Sequence, residues 1–204
     1  METRENQKEL WDSIAPEWHD FKTNPGENAM KFLKLQTGKI LDHGSGSGRH
    51  LSKIKNGKMY LVDFSYKMLE FAKKRAKESK IPAEFIQSNL EKLPFEDNFF
   101  DGAISISSIH CVETSEKRKK SIEELYRVLK QGAHAIIAVW NKDSKRFKNA
   151  GKEKYVGWRD KGKRYYYLFD EDEIYNLFIE AGFIIIKKLH HNVNIDFIVQ
   201  KPKA

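Results

Sequence analysis

Four residues spaced two apart, Asp42, Gly44, Gly46 and Gly48, follow the short apolar run Lys39-Ile40-Leu41. Glycines at a strand-to-helix turn let the main chain bend tightly and let a ligand approach it closely, because no Cβ intervenes. The spacing is neither G-x-G-x-x-G nor G-x-x-x-x-G-K-[ST], so it matches neither the dinucleotide fingerprint nor a phosphate loop. Two more polar residues end later apolar runs: Asp63 after Met59-Tyr60-Leu61-Val62, and Asn89 after Glu84-Phe85-Ile86. A carboxylate at the first position can accept both hydroxyl protons of a ribose. An amide at the second, with the Leu90 N–H beside it, can meet the edge of an adenine. Singly, Asp63 could instead cap the helix that starts at Ser65, and Asn89 could be a turn residue. In series they describe an adenosine-type ligand; NAD competes, and the loop spacing argues against it.

Placing these groups together takes alternating strands and helices. Leu10, Trp11, Ile14 and Trp18 predict a helix over 7–22, which Pro16 is expected to break or kink. Asn24-Pro25-Gly26 signals a turn, and 29–35 reads as a helix. After the glycines, 51–55 reads as a short helix ended by Gly57. Ser65 suits the cap of a helix that turns Met68, Leu69, Ala72 and Ala76 inward. Strands are expected at 39–41, 59–62, 84–86, 100–106 and 135–140, with a helix from a Ser115 cap to Leu129 stopped by Gln131-Gly132. That alternation predicts an α/β fold, a doubly wound parallel sheet with helices on both faces and its ligand at the carboxyl ends of the strands. Beyond Trp140 the pattern changes. Residues 141–164 are basic with little periodicity, Asp170-x-x-Glu173 starts a helix in the manner of a capping box, and Gly182 ends it. Two strands, 183–187 and 195–199, then pair antiparallel through His190-His191-Asn192. One domain over 1–204 is expected, with 1–36 an N-terminal helical segment and 141–164 a basic insertion or lid.

The acid-x-G-x-G-x-G loop resembles the first motif of the class I S-adenosylmethionine-dependent methyltransferases, and Leu93-Pro94-Phe95 with Phe100-Asp101 resembles their segment after the third strand. Four further stretches resemble a narrower family: Trp11 to Pro16, Phe100 to His110 followed by Glu116-Lys117-Arg118, Ala138-Val139-Trp140, and Arg164 to Phe169. That family is the wobble-uridine tRNA methyltransferases that esterify 5-carboxymethyluridine. The resemblance spans nearly the whole chain. It implies a Rossmann-like class I methyltransferase fold, a mostly parallel seven-stranded sheet with an antiparallel C-terminal strand. It implies S-adenosylmethionine held by Asp42, Gly44, Ser45, Gly46, Gly48, Asp63, Phe64, Asn89, Leu90, Ser105 and Ile106. It also implies a tRNA anticodon stem-loop as substrate and, as partner, the small zinc-binding activator protein shared by several methyltransferases. The chain departs from the family at four positions: Asn89 where Asp is usual, Lys22 for Arg, Cys111 for a second His, and Ile195 for Trp. These bear on the nucleobase more than on the cofactor.

Esterification of a carboxylate is direct displacement. The acceptor is already ionised near neutral pH (a carboxyl pKa is ~4), so no strong base is required and the protein's work is positioning and charge steering. Lys22, Arg164 and His110 are candidates to hold the carboxylate or the uracil, with Tyr165 and Tyr166 as site or core aromatics. Were the acceptor a phenol or amine, His110 could serve as base; its other reading is a hydrogen-bonded structural histidine.

The net charge of +8, carried by 37 Lys and Arg, favours a polyanionic partner over an acidic surface's partners. Lys142, Lys145, Arg146, Lys148, Lys152 and Arg159 are expected to meet RNA phosphates, with Trp158 stacking on a base; a lid over the cofactor or a solvated loop is the alternative. The single Cys111 excludes an internal disulfide. His190 and His191 are adjacent and would point to opposite faces of a strand, and His43 and His50 add no coherent ligand set, so no metal is expected. No apolar run approaches the ~20 residues of a membrane helix, and the N-terminus is polar, so a cytoplasmic location is expected. Two other functions compete: a methyltransferase for a small metabolite (a quinone precursor or carboxylic acid), and a fold that binds ligand or RNA without turnover. Asp42, Gly44, Gly46 and Asp63 argue against the second.

Overall fold

The computed structural model describes residues 6–189 and 192–203; His190 and His191 lie outside them. In chain order the elements are α1 (Gln7–Phe21), α2 (Glu27–Leu33), β1 (Thr37–His43), β2 (Lys55–Asp63), α3 (Tyr66–Ser79), β3 (Ala83–Gln87), β4 (Phe100–Ile106), α4 (Ser115–Val128), β5 (Leu129–Trp140), β6 (Glu153–Gly157), β7 (Lys163–Tyr167), α5 (Glu171–Glu180), β8 (Ile184–Lys188) and β9 (Asn194–Gln200). A seven-stranded sheet runs β3-β2-β1-β4-β5-β9-β8. β1 to β5 pair in parallel, and β9 runs antiparallel to both its neighbours. This is the Rossmann-like class I arrangement, and the order reverses between β1 and β4, where a crevice opens at the strand ends.

Alternate residues of each central strand feed opposite faces. Leu41, Val62, Ala103 and Ile137 join Ile122, Leu125, Ile174 and Phe178 of α4 and α5 in one core. Ile40, Leu61, Ile104 and Ile136 join Phe32 and Leu33 of α2 and Leu69 and Ala72 of α3 in the other. A third cluster packs α1 (Leu10, Trp11, Ile14, Ala15) against Met68 of α3 and Tyr166 of β7, so the N-terminal helix roofs the end of the sheet where the glycines lie.

Several boundaries differ from expectation. Pro16 does not break α1: Leu10, Trp11 and Ile14 are buried before it, and Trp18 after it packs edge-on to Trp11 at 5.1 Å, so both halves are held and the lost main-chain hydrogen bond is tolerated. Residues 51–55 form no helix. β2 instead extends back to Lys55, paired with Thr37, and Gly57 is a strand residue because a Cβ there would overlap the Gly38 carbonyl. Thr114, not Ser115, caps α4 through Lys117 N. Nor does Gly132 stop α4. The helix passes at Val128 directly into β5, and the buried Lys201 ammonium satisfies the freed carbonyls of Tyr126 and Leu129, both at 2.9 Å. Asp170 caps α5 as expected, accepting from Glu173 N at 3.0 Å. The second half of 141–164 is ordered by pairing: β6 and β7 form an antiparallel hairpin, Tyr155 opposite Tyr165.

Candidate active site

β1 delivers the chain into the glycine loop with Gly44 at φ +83° and Gly48 at φ +74°, a region that non-glycine residues seldom enter. A side chain on Gly44 would collide with Ser108, and one on Gly48 would press on Ala72 of α3. The loop therefore closes against the segment after β4 on one side and against a helix on the other. Between them lies a cavity of about 580 Å³. Gly44, Ser45, Gly46, Asp63, Phe64, Asn89, Leu90 and Ile106 all line it, as do Trp11 and Trp18 of α1.

Three residues expected at the ligand are set back from that wall. Gly48 packs under α3. Ser105 is fully buried behind Ser108, Oγ to Oγ at 2.9 Å. Asp42 is buried beneath the loop, and its Oδ2 has no hydrogen-bond partner among the described residues. Burial pushes the Asp42 carboxyl up to about 7, with nearby Arg49 opposing and Asp63 adding. Asp63 is at the wall. Its Oδ2 accepts from Gly46 N at 2.8 Å and its Oδ1 from Ser65 N at 2.9 Å, which leaves further lone pairs for two hydroxyls. Burial raises it to about 6, against those two N–H groups, with Asp12 adding.

Beside the cavity pack the 3-10 turn Ile109–Cys111, the end of β5, and β7. Ser107, at φ +62°, turns the chain out of β4. His110 Nδ1 accepts from Trp140 N at 2.9 Å, so a neutral ring carries its proton on Nε2, which has no partner among the described residues. His110 is 1% exposed, behind the cavity wall, its ring stacked on Trp140 and tilted against Tyr166. Burial, with a smaller push from Arg49, drops its pKa to about 3. A neutral imidazole whose only acceptor nitrogen is engaged is not a general base, which corrects that reading of His110.

Strand alternation separates the β7 residues. Arg164 and Tyr166 point toward Trp11 and Trp18 of α1, behind the residues that line the cavity, with Arg164 donating to the Tyr166 hydroxyl at 2.7 Å. Tyr165 faces away: its hydroxyl bonds Arg118 and Glu153 and its N–H the Gln7 side chain. Tyr165 is thus a core residue, and Tyr166 is the tyrosine that packs beside His110 and Arg164. Arg164 is 5% exposed and lies over the rings of Trp11, Trp18, Trp158 and Tyr166 at 4.9 to 5.7 Å. It has no carboxylate partner among the described residues, and burial lowers its pKa. Lys22, at the end of α1, has its pKa lowered by burial and then by Arg49, Arg146 and Arg164. Three cations thus lie near Lys22, and among the described residues no acid is paired to Lys22 or Arg164. Arg49 was not singled out in the sequence, and Arg146 was expected only at RNA phosphates.

The basic segment divides. Lys145, Arg146 and Lys148 are exposed, and Lys142 is half-buried. Lys152 instead pairs with Asp170 and Glu173. Trp158 donates to Glu17 at 2.6 Å and sits edge-on to Trp18 and Phe21, while Arg159 pairs with Glu17 at 3.3 Å. Lys152, Trp158 and Arg159 are thus engaged with α5 and α1 within the chain. Among the described residues no three His, Cys, Asp or Glu side chains gather as a metal-ligand set, and no helix is long and apolar enough to cross a membrane.

Residues 41–137 match the family described as "Methyltransferase domain". The tRNA (carboxymethyluridine(34)-5-O)-methyltransferase of Arabidopsis thaliana is 32% identical over 133 residues, which is 64% of this chain but 31% of that protein's length. The Schizosaccharomyces pombe protein of the same name is 28% identical over 95% of both chains. Among solved structures, the complex between the Haloferax volcanii Trm112 methyltransferase activator and a methyltransferase matches with a TM-score of 0.75 and 15% identity over 99% of each chain. Together with the sheet order, these matches make the chain a member of the class I S-adenosylmethionine-dependent methyltransferases.

Proposed function

We propose that this chain transfers a methyl group from S-adenosylmethionine to the carboxylate of 5-carboxymethyluridine at the wobble position of a tRNA anticodon. The observation that carries the proposal is the buried, unpaired Arg164 among Lys22, Arg49 and Arg146. An uncompensated buried guanidinium is costly to keep, and a carboxylate ligand would complete it. The names of the two relatives supply the same acceptor.

The cavity fits the cofactor. Asp63 would accept the ribose hydroxyls, Asn89 and the Leu90 N–H would meet the adenine, and the backbone at Gly44 and Gly46 leaves room for the amino-acid end. S-adenosylmethionine, when bound, supplies an electrophilic methyl group. Arg164 and Lys22 would grip the acceptor carboxylate and aim one oxygen. Trp11, Trp18, Trp140 and Tyr166 would shield that pair from water and so strengthen it. No proton needs to be removed from the acceptor, which agrees with the absence of a competent base at His110.

Lys145, Arg146 and Lys148 would meet phosphates of the anticodon loop, and a small methyltransferase activator would join one free edge of the sheet, at β3 or β8. The internal pairing of Lys152 and Arg159 favours a second reading, methylation of a small carboxylic acid, because it shrinks the basic surface. Nucleoside mass spectrometry of tRNA from a deletion strain decides. Loss of the methyl ester with accumulation of 5-carboxymethyluridine is expected, and an unchanged nucleoside profile would leave the small-acid reading.

A further inference from the structure

Ser65 stands between two carboxylates and gives one donor to each. Its N–H bonds Asp63 Oδ1 at 2.9 Å, and its hydroxyl bonds Asp12 Oδ1 at 2.6 Å. Asp63 ends β2 at the cavity wall, whereas Asp12 comes from α1, where it follows Trp11 of the same wall. We infer that Asp12 is a positioning residue for the cofactor: through Ser65 it locks the α1 roof to the carboxylate that meets the ribose.

Every bond in this chain has a fixed direction. A main-chain N–H can only donate. Asp12 Oδ1 accepts from Lys67 N at 3.1 Å, so it carries no proton, and the Ser65 hydroxyl supplies the one in their contact. Met68 N in turn donates to Ser65 Oγ at 3.1 Å. The open N–H groups at the start of α3 are thus met by Ser65 and by a carboxylate brought from α1, where negative charge is favoured. Asp63 Oδ2 carries the link on to Gly46 N in the glycine loop. Elsewhere on α1, Gln7 and Glu17 bond β7 and Trp158 instead, so the tie to the ribose side falls to Asp12. The two carboxylates also feel each other. Burial, and the Asp12 charge in addition, holds the Asp63 carboxyl up, against the N–H groups of Ser65, Gly46 and Phe64. The other ionisable groups that face Asp63 are Asp42 of β1 and the Cys111 thiol of the 3-10 turn, and both stay in place when Asp12 is changed.

The inference rests on Asp63 meeting the ribose and is independent of the acceptor. Calorimetry of the full chain with S-adenosylhomocysteine, beside melting curves, tests it. At pH ~8 Asp12→Ala should bind about tenfold more weakly, the usual worth of a lost charged hydrogen bond. Asp12→Asn keeps an acceptor oxygen and should stay within about twofold of the parent at that pH. It also removes the charge, so the Asp63 carboxyl stays ionised to lower pH. From pH ~8 to ~5 the variant should therefore lose about twofold less affinity than the parent. A residue that merely caps α3 would change the melting temperature and move neither reading. Parent-like binding by Asp12→Ala, a weakening that Asp12→Asn does not rescue, or an unchanged acid loss in Asp12→Asn overturns the inference. Should Asp12→Ala fail to fold, the acid loss of Asp12→Asn decides it. If Asp63→Ala binds as the parent does, the ribose assignment itself fails and takes this inference with it.

Discussion

Asp63 Oδ2 accepts the Gly46 N–H at 2.8 Å, joining the carboxylate that ends β2 to the glycine loop that follows β1. The bond fixes the loop's shape and the carboxylate's aim together. Asp63→Ala should therefore abolish cofactor binding in calorimetry, and Asp63→Asn should weaken it. Undiminished binding by Asp63→Ala would remove the ribose assignment.

The same residue gives a pH dependence. Burial holds the free Asp63 carboxyl at about 6, and the ribose needs its ionised form. Above that pH the affinity should be flat. Below it a proton must first leave, so affinity should fall, approaching tenfold per pH unit. Asp63→Asn should show weak binding with no such slope; a slope that survives in the variant would assign the titration to another group.

His110 should behave differently. Its pKa lies near 3 and its Nδ1 already accepts from Trp140 N. The pH profile of turnover should have no limb from a histidine near pH ~6.5. His110→Ala should lower turnover, by loosening the Trp140 stack, and barely change cofactor affinity. A limb near neutrality that disappears in His110→Ala would restore it as a base.

How far these roles could be read from the sequence differs by residue. The places of Asp63 and Asn89 at the cavity wall were legible because they depend only on where a strand ends. The choice between Tyr165 and Tyr166 was not, since it depends on strand parity, and the pairing with β6 that sets the register carries no apolar signal (Glu153, Lys154, Tyr155). A count of two from Arg164 would have found Tyr166. Trp158 and Arg159 looked available because their partner, Glu17, is 141 residues away from Trp158 in sequence. Gly57 looked like a helix stop because its real constraint, the Gly38 carbonyl, comes from a neighbouring strand. Local patterns carried the order of elements and the cavity wall; long-range partners decided how β6 and β7 pack.

The divided basic segment makes a separable prediction. Lys145→Ala, Arg146→Ala and Lys148→Ala together should weaken tRNA binding and reduce the slope of log affinity against log salt by up to about 2, at ~0.7 per phosphate contact on a single strand. Lys152→Ala and Arg159→Ala remove ion pairs to Asp170, Glu173 and Glu17. They should change the melting temperature with little effect on the salt slope. The reverse pattern would return Lys152 and Arg159 to the RNA surface.

Arg164 sets function against stability. It is almost wholly buried and, among the described residues, is met by aromatic faces and the Tyr166 hydroxyl with no carboxylate, an arrangement that is costly to keep. Arg164→Leu removes that charge and keeps most of the volume. The variant should melt higher than the parent, by about 1 kcal/mol or more, while methyl transfer to a carboxylate acceptor collapses. Arg164→Lys keeps the charge but loses the fork that grips two oxygens, and should recover only part of the activity, mainly as a raised acceptor KM. Thermal denaturation and steady-state kinetics on the three proteins read both effects. A less stable Arg164→Leu that still methylates a carboxylate acceptor would show that Arg164 holds the fold together and leaves the acceptor to Lys22, Arg49 and Arg146.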